Sequence, residues 1–311
     1  MKRRDFLKAS ACVGLSTLLT PPSPIGECAY GAENVESYPL AIAKGKNILK
    51  ALEAAIAALG GMKKFISKND IVMVKPNIGW DRTPEQAANT NPKIVAAIVK
   101  MCLEAGAKKV KVSDNTCNEV RRCFKRSGIA DAAASAGAEV YFLDDRNLVE
   151  QKIGSEILKN WPVYRDFLEA DKIINVPIAK HHGLTKLTLG MKNLMGAVGG
   201  RRNSMHQEIG IAISELAGFF KPALTIIDAT RILTGNGPQG GSLSDVVKTD
   251  TIIAGKEIAS VDALAADHFA RNAGKGFRNM KPSDYSFLKI ACERGLGAID
   301  TSVLKVKEIE V

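Results

Sequence analysis

Short apolar runs rich in valine and isoleucine alternate with longer segments whose apolar residues recur every three or four positions. That alternation constrains the fold more than any other feature of the chain. "DIVMVKPN", "KKVKVSDN", "AEVYFLDD", "DKIINVP", "ALTIIDAT" and "DTIIAG" have the length and β-branched content of buried strands. "YPLAIAKG" and "VLKVKEIE" read as an opening and a closing strand. "NILKALEAAIAAL", "NPKIVAAIVKMCLEAG", "GIADAAASAG", "HQEIGIAISELAGFF", "ASVDALAADHFARNAG" and "SDYSFLKIACERGLG" read as helices. The second is the best signalled, with Asn91 as cap, Pro92 in the first turn and Gly106 at the stop. Its stripe runs through Ile94, Ile98, Met101, Cys102 and Ala105. This order predicts an α/β fold, with a mixed or mostly parallel sheet sandwiched by helices.

Residues 1–31 stand apart. A basic start, a modest apolar run and then prolines and small residues are the layout of an export signal, and the run is too short to span a bilayer. Arg3-Arg4 followed by Phe6-Leu7-Lys8 resembles the twin-arginine signature, with Lys2 where Ser or Thr is commoner. A small-x-small pattern at Ala29-Tyr30-Gly31 predicts a single mature domain over 32–311, a periplasmic or otherwise exported location, and the twin-arginine machinery as a partner. Cleavage takes away Lys2, Arg3, Arg4 and Lys8 against Asp5 and Glu27, lowering the formal charge of +10 by two to +8. No later segment is apolar enough for a membrane span.

The positive balance predicts a small anionic ligand rather than nucleic acid, because aromatics are only 5% and no nucleic-acid motif appears. Cys102, Cys117, Cys123 and Cys292 form no C-x-x-C, so no iron–sulfur cluster is expected. Cys102 falls on an apolar stripe, whereas Cys117 and Cys123 could pair or stay inert.

Polar residues gather just past four strands: Lys75 and Asn77; Ser113, Asp114 and Asn115; Lys180, His181 and His182; Asp228 and Thr230. Ligands of open α/β sheets bind outside the carboxyl ends of strands, so these clusters predict one composite site. Neighbouring side chains of an extended segment alternate, so only one of His181 and His182 can face it, and His182 is the one assigned. Neutral imidazole moves protons or binds metal near neutrality, which makes His182 and His206 the candidate catalytic groups and metal ligands, with Asp114 beside them. Lys75, Lys192, Arg201 and Arg202 suit a carboxylate or phosphate. Asn77, Asn193, Asp228 and Asp262 are assigned to holding or orienting cofactor or substrate. "TGNGPQGG" contains G-x-G-x-x-G but leads into no helix, so Gly235 and Gly237 are read as a ligand-lining loop, not a dinucleotide fingerprint.

"VKPNIGW", "TNPKIVAAIVKMCLEAGAKKVKVSD", "IINVPIAKHHGLTKLTLGMKNLMGAV", "IIDATRILTGNGPQGG" and "IIAGKEIASVDALAADH" resemble, in order over about residues 70–270, the domain of unknown function family 362. Some members of that family carry an added ferredoxin-like iron–sulfur module, whose cysteines this chain lacks. The spacing of His182, Lys192 and His206 is also similar to that of lactate racemases with a nickel-pincer nucleotide. That resemblance implies a lysine tethering the cofactor, one histidine on nickel and another moving protons. The motif around the lysine differs, and a second proton-shuttling histidine has no clear counterpart. Together these readings predict an exported enzyme acting on a small anion with a metal or nickel-type cofactor and racemase- or isomerase-like acid–base chemistry. The alternative is a non-catalytic periplasmic anion- or metal-binding protein.

Overall fold

The computed structural model describes residues 40–274 and 276–311, so the export signal read in residues 1–31 lies outside the described residues. One sheet runs in the order β12 (Val306–Glu310), β1 (Leu40–Lys44), β11 (Val246–Gly255), β10 (Leu224–Leu233), β7 (Lys172–Val176), β2 (Ile71–Pro76), β3 (Lys109–Val112) and β4 (Glu139–Val140). Neighbours from β10 through β7, β2 and β3 to β4 are all parallel. At the other edge β11 is antiparallel to β10 and β1, and β12 is parallel to β1.

Helices cover both faces. Val72, Val74, Ile174, Ile226 and Ile252 point to one side, where α1 (Ile48–Ala58), α2 (Pro92–Glu104), α3 (Val120–Arg126) and α4 (Ile129–Ser135) pack. Met73, Ile173, Ile227 and Ile253 point to the other side, beneath α7 (Ile209–Phe220), α8 (Ile258–Asn272) and α9 (Ser286–Glu293). The period of two therefore buries every other residue on each face, which is why these strands read as continuous apolar runs. The chain thus has the α/β sandwich that the alternation predicts. Helix α2 begins where Asn91 accepts the amide of Lys93 and Pro92 opens the first turn, and it buries Ile94, Val95, Ile98, Val99 and Cys102. Met101, expected on that stripe, is only partly buried and packs at its margin.

Several segments differ from expectation. "AEVYFLDD" pairs only over Glu139 and Val140 before the chain turns into the loop beyond. The expected loop after β7 is instead a hairpin, β8 (Ile178–His182) against β9 (Lys186–Thr188), with β8 running parallel to the outer half of β10. It leads into a single helical turn, α6 (Gly190–Asn193). Strands β10 and β11 outrun their apolar centres, because Thr230, Ile232, Val247 and Thr249 keep the β-branched character that a paired ribbon favours. Its far end carries the glycine loop at 235–241. Between β4 and β7 lie β5 (Leu148–Gln151), paired with β6 (Trp161–Tyr164), and the short helix α5 (Arg165–Glu169). No described helix is long and apolar enough to cross a membrane.

Candidate functional site

Strands β2, β3 and β7 end at the same edge, and β8 continues past it. Between them lies a cavity of about 830 Å³, within the range of small-molecule sites. Lys75 and Asn77 reach it from the end of β2, Asp114 from the end of β3, and Lys180 and His182 from β8. Lys192 and Asn193 come from α6, and Arg201, Arg202 and His206 from the segment ahead of α7.

A buried polar network forms the floor. Lys75 Nζ lies 2.6 Å from Asp114 Oδ1, with both side chains almost fully buried. It also donates to the Pro76 carbonyl at 2.9 Å and to Asn193 Oδ1 at 3.1 Å. Asp114 Oδ2 accepts the Ile78 amide at 2.7 Å, while Asn77 Nδ2 donates to Asn193 Oδ1 at 3.2 Å. Asn193 closes the net by donating to the Lys75 carbonyl and to Asn175 Oδ1. The net needs Gly196, where a Cβ would collide with Asp114 Oδ1 and Lys75 Nζ. Burial pushes Lys75 below its ordinary value, while Asp114 pulls the other way.

Two further lysines have no such partner. Lys180 Nζ donates to Asn77 Oδ1 at 3.1 Å and to the Ala88 carbonyl at 2.6 Å, and it stands 5.8 Å from the centre of the Trp80 ring. Burial drives it down to about 7. Lys192 Nζ touches only the Met195 sulfur, at 3.1 Å, and burial lowers it to about 8. Arg202 spends its fork on the carbonyls of Asn115 and Thr116, which fixes the wall but leaves its charge unneutralised.

The histidines separate as strand geometry requires. His181 accepts the Gly237 amide on Nδ1 and packs edge-on against Phe277, off the cavity wall. His182 faces the cavity and stacks on His206, with centroids 6.0 Å apart and planes 9° from parallel. His182 Nδ1 accepts the amides of Leu184 and Thr185, at 3.1 and 3.3 Å. A nitrogen that accepts two N–H groups carries no proton, so the neutral ring bears its proton on Nε2. His206 Nδ1 lies 3.2 Å from the Asn203 carbonyl, which can only accept, so here Nδ1 bears the proton and Nε2 keeps its lone pair. Burial first, then the charges of Lys192 and His206, push His182 down to about 3; burial and Lys192 also lower His206. Both rings are therefore neutral near pH 7, in opposite tautomers.

Of the residues assigned from the sequence, Lys75, Asn77, Asp114, His182, Lys192, Asn193 and His206 line this cavity, and Asp228, Asp262, Gly235 and Gly237 do not. Asp228 is buried and saturated: Oδ2 accepts the Asn91 amide at the start of α2, and Oδ1 accepts the amide and hydroxyl of Thr230. Asp262 accepts the amides of Gly190 and Met191, at 2.7 and 2.9 Å, and so holds α6 from behind. Burial raises its carboxyl to about 7. Gly235 packs beside Asp245, and Gly237 lies where any Cβ would strike the His181 carbonyl; from that loop, Pro238 reaches the cavity. Lys180, counted in the strand-end cluster but given no role, and Trp80, which was not named, belong to the site. The visible signal was Lys180's place two residues before His182, on the same side of an extended strand.

A metal held by His182 and His206 does not fit this donor set as it stands. A ligating imidazole donates its other N–H outward, whereas His182 Nδ1 receives two amides. No group of three or more His, Cys, Asp or Glu among the described residues is placed to hold a metal ion. Cys117, on the cavity wall, and Cys123, buried, are both free thiols.

Residues 72–267 match the family model described as Domain of unknown function (DUF362). A thylakoid-associated protein of Synechocystis sp. is 27% identical over 230 residues, covering 71% of this chain and 68% of its own. Among solved structures, the lactate racemase apoprotein from Thermoanaerobacterium thermosaccharolyticum aligns with a TM-score of 0.40 and 13% identity, over 68% of this chain; the chain spans only 53% of that protein. The family match takes in more than half of the chain and every strand that builds the cavity, and the chain belongs to the DUF362 family.

Proposed function

We propose that the protein is a proton-transferring enzyme of the isomerase type acting on a small anionic substrate. The observation that carries this reading is the pair of neutral imidazoles held in opposite tautomers within a lysine-lined cavity. One ring offers a proton from Nε2 and the other a lone pair at Nε2, so a general acid and a general base stand side by side before substrate arrives. His206 removes a proton from carbon next to the substrate's carbonyl or carboxyl group. The charge that develops on oxygen is stabilised by Lys192, Lys180 and the Nε2–H of His182, and the protonated His206 then returns its proton to the neighbouring carbon while His182 passes the hydroxyl proton from one oxygen to the other, so both rings end as they began.

The ring spacing narrows the reaction. A carbon sandwiched between two rings needs about 7–8 Å, two carbon–carbon contacts. The centroids are 6.0 Å apart, so acid and base serve the same side of the substrate. A shift of a proton between adjacent atoms fits that arrangement better than racemisation through opposed bases. The export signal read in residues 1–31 would place this activity outside the cytoplasm, and the mature protein is then expected to begin near Ala32.

The test is exchange in D2O. Small hydroxy- and keto-carboxylates and phosphorylated hydroxyketones are incubated with the full protein and followed by proton NMR. Loss of a C–H signal for at least one compound, abolished by His206→Ala and reduced at least tenfold by His182→Ala, is the expected result. Binding of the same compounds with no exchange would instead make the protein a non-catalytic anion-binding protein.

A further inference from the structure

The charges on the cavity wall do not balance. Asp114 is the one acidic residue among the described residues that line it, and Lys75 consumes that charge at 2.6 Å. Lys180, Lys192, Arg201 and Arg202 remain, and no described acid pairs with any of them; Arg201 is exposed and its charge is met by solvent. Arg202 has turned its donors to backbone carbonyls. Lys180 has given two of its three N–H groups to the protein, and Lys192 has only a thioether beside it, so N–H groups remain on both. The Nε2–H of His182 adds one more donor on the same wall. A buried cation with no counter-charge is costly, and a ligand with one negative charge would relieve one ammonium and leave the other.

We propose that the ligand of this cavity is a dianion, with one doubly charged phosphoryl-type group or two carboxylates held by Lys180 and Lys192. This rests on the reading of the cavity as an anionic substrate's site, and sharpens it from charge count. It has a consequence that a surface ion would not share. Burial holds Lys180 near 7 and Lys192 near 8, and a dianion beside them raises both, so binding near pH 8 draws protons from solution.

Calorimetric titration of the full protein at pH 8 tests this, using sulfate, malonate and acetate at matched ionic strength in two buffers of different ionisation enthalpy. Sulfate or malonate is expected to bind at least ten times more tightly than acetate, with net uptake of about one proton. The preferred one of the two tells a phosphoryl-type group from a pair of carboxylates. Lys192→Met should lower the dianion's affinity at least tenfold and shrink the proton uptake, with acetate changed less than twofold. Lys180→Met should do the same, and the wild-type proton count stands should that variant fail to fold. Acetate binding as tightly as both dianions overturns the dianion and leaves the anion site standing. Dianion binding without proton uptake, and indifferent to Lys192→Met, places the ion elsewhere and also overturns it. No binding by any of the three removes the anion site as well.

Discussion

Glu215 and Lys180 are both buried charges, and they are treated in opposite ways. Glu215, on α7, has no exposed side-chain surface, and its carboxylate accepts four amides in succession, from Ser155, Glu156, Ile157 and Leu158. Arg294 stands 3.8 Å away. Every lone pair has a partner supplied by the protein itself, and the irregular loop between β5 and β6 is ordered around it. Lys180 is also withdrawn from water, and Lys192 partly so, yet both keep unused donors and have no carboxylate. Asp228 and Asp262 likewise have both carboxylate oxygens held by backbone amides. The cavity's cations are not met in this way. Unmet charge, rather than burial, marks where a ligand belongs in this molecule.

The comparison can be broken from either side. Removing the Glu215 carboxylate (Glu215→Ala) takes the acceptor from four amides, one of them buried and three part-buried, and should cost about 3–5 kcal/mol, by analogy with other broken buried networks, read by urea unfolding. Asp262→Ala should cost about 1–3 kcal/mol, since two amides lose their acceptor. It should also weaken anion binding, because α6 carries Lys192 and Asn193. Gly196→Ala is expected to impair the site more than the fold: its Cβ must push Lys75 and Asp114 apart, lowering dianion affinity about tenfold or more in the same calorimetric assay. Lys192→Met should change stability by less than about 1 kcal/mol, or raise it, because an unpaired, part-buried cation is replaced by an apolar chain. A loss as large as that from Glu215 would show the two kinds of charge to be alike.

A further effect is a pH dependence. Lys180 and Lys192 titrate lower when folded than at their ordinary 10.5, so between about pH 8 and 9 the unfolded chain holds more protons than the folded one. Stability contributed by these groups therefore rises with pH across that window. Asp262, raised to about 7, and His182, lowered to about 3, have finished titrating in both states by then. Lys180→Met should flatten the rise, measured as the unfolding midpoint in urea at several pH values. An unchanged slope would mean that Lys180 is not held down by burial.

Much of this could be read before any coordinates. The strands and α2 announce themselves because their period and caps are local. Lys75, Asn77 and Asp114 could be placed because residues following parallel strands share one edge of the sheet. Alternation along a strand showed that only one of His181 and His182 could face the site. What could not be read depends on partners distant in sequence. Asp228 and Asp262 resemble site acids until the amides they bind are known, 137 and 72 residues away. The hairpin of β8 and β9 was hidden because "IAKHHGLTKLT" buries lysine and histidine where a strand pattern expects apolar side chains. Lys180 was placed in a cluster but given no role, because its isolation is a property of the folded cavity. The tautomers of the histidines come from backbone groups that no residue pattern encodes.

Nitrogen NMR of the histidine side chains tests the account at its centre. With ring nitrogens labelled and assigned through His182→Gln and His206→Gln, the account predicts two neutral rings at pH 7. His182 should carry its proton on Nε2 and His206 on Nδ1. A charged His182 at that pH, or the same tautomer on both rings, would contradict the pairing of acid and base on which the proposed chemistry stands.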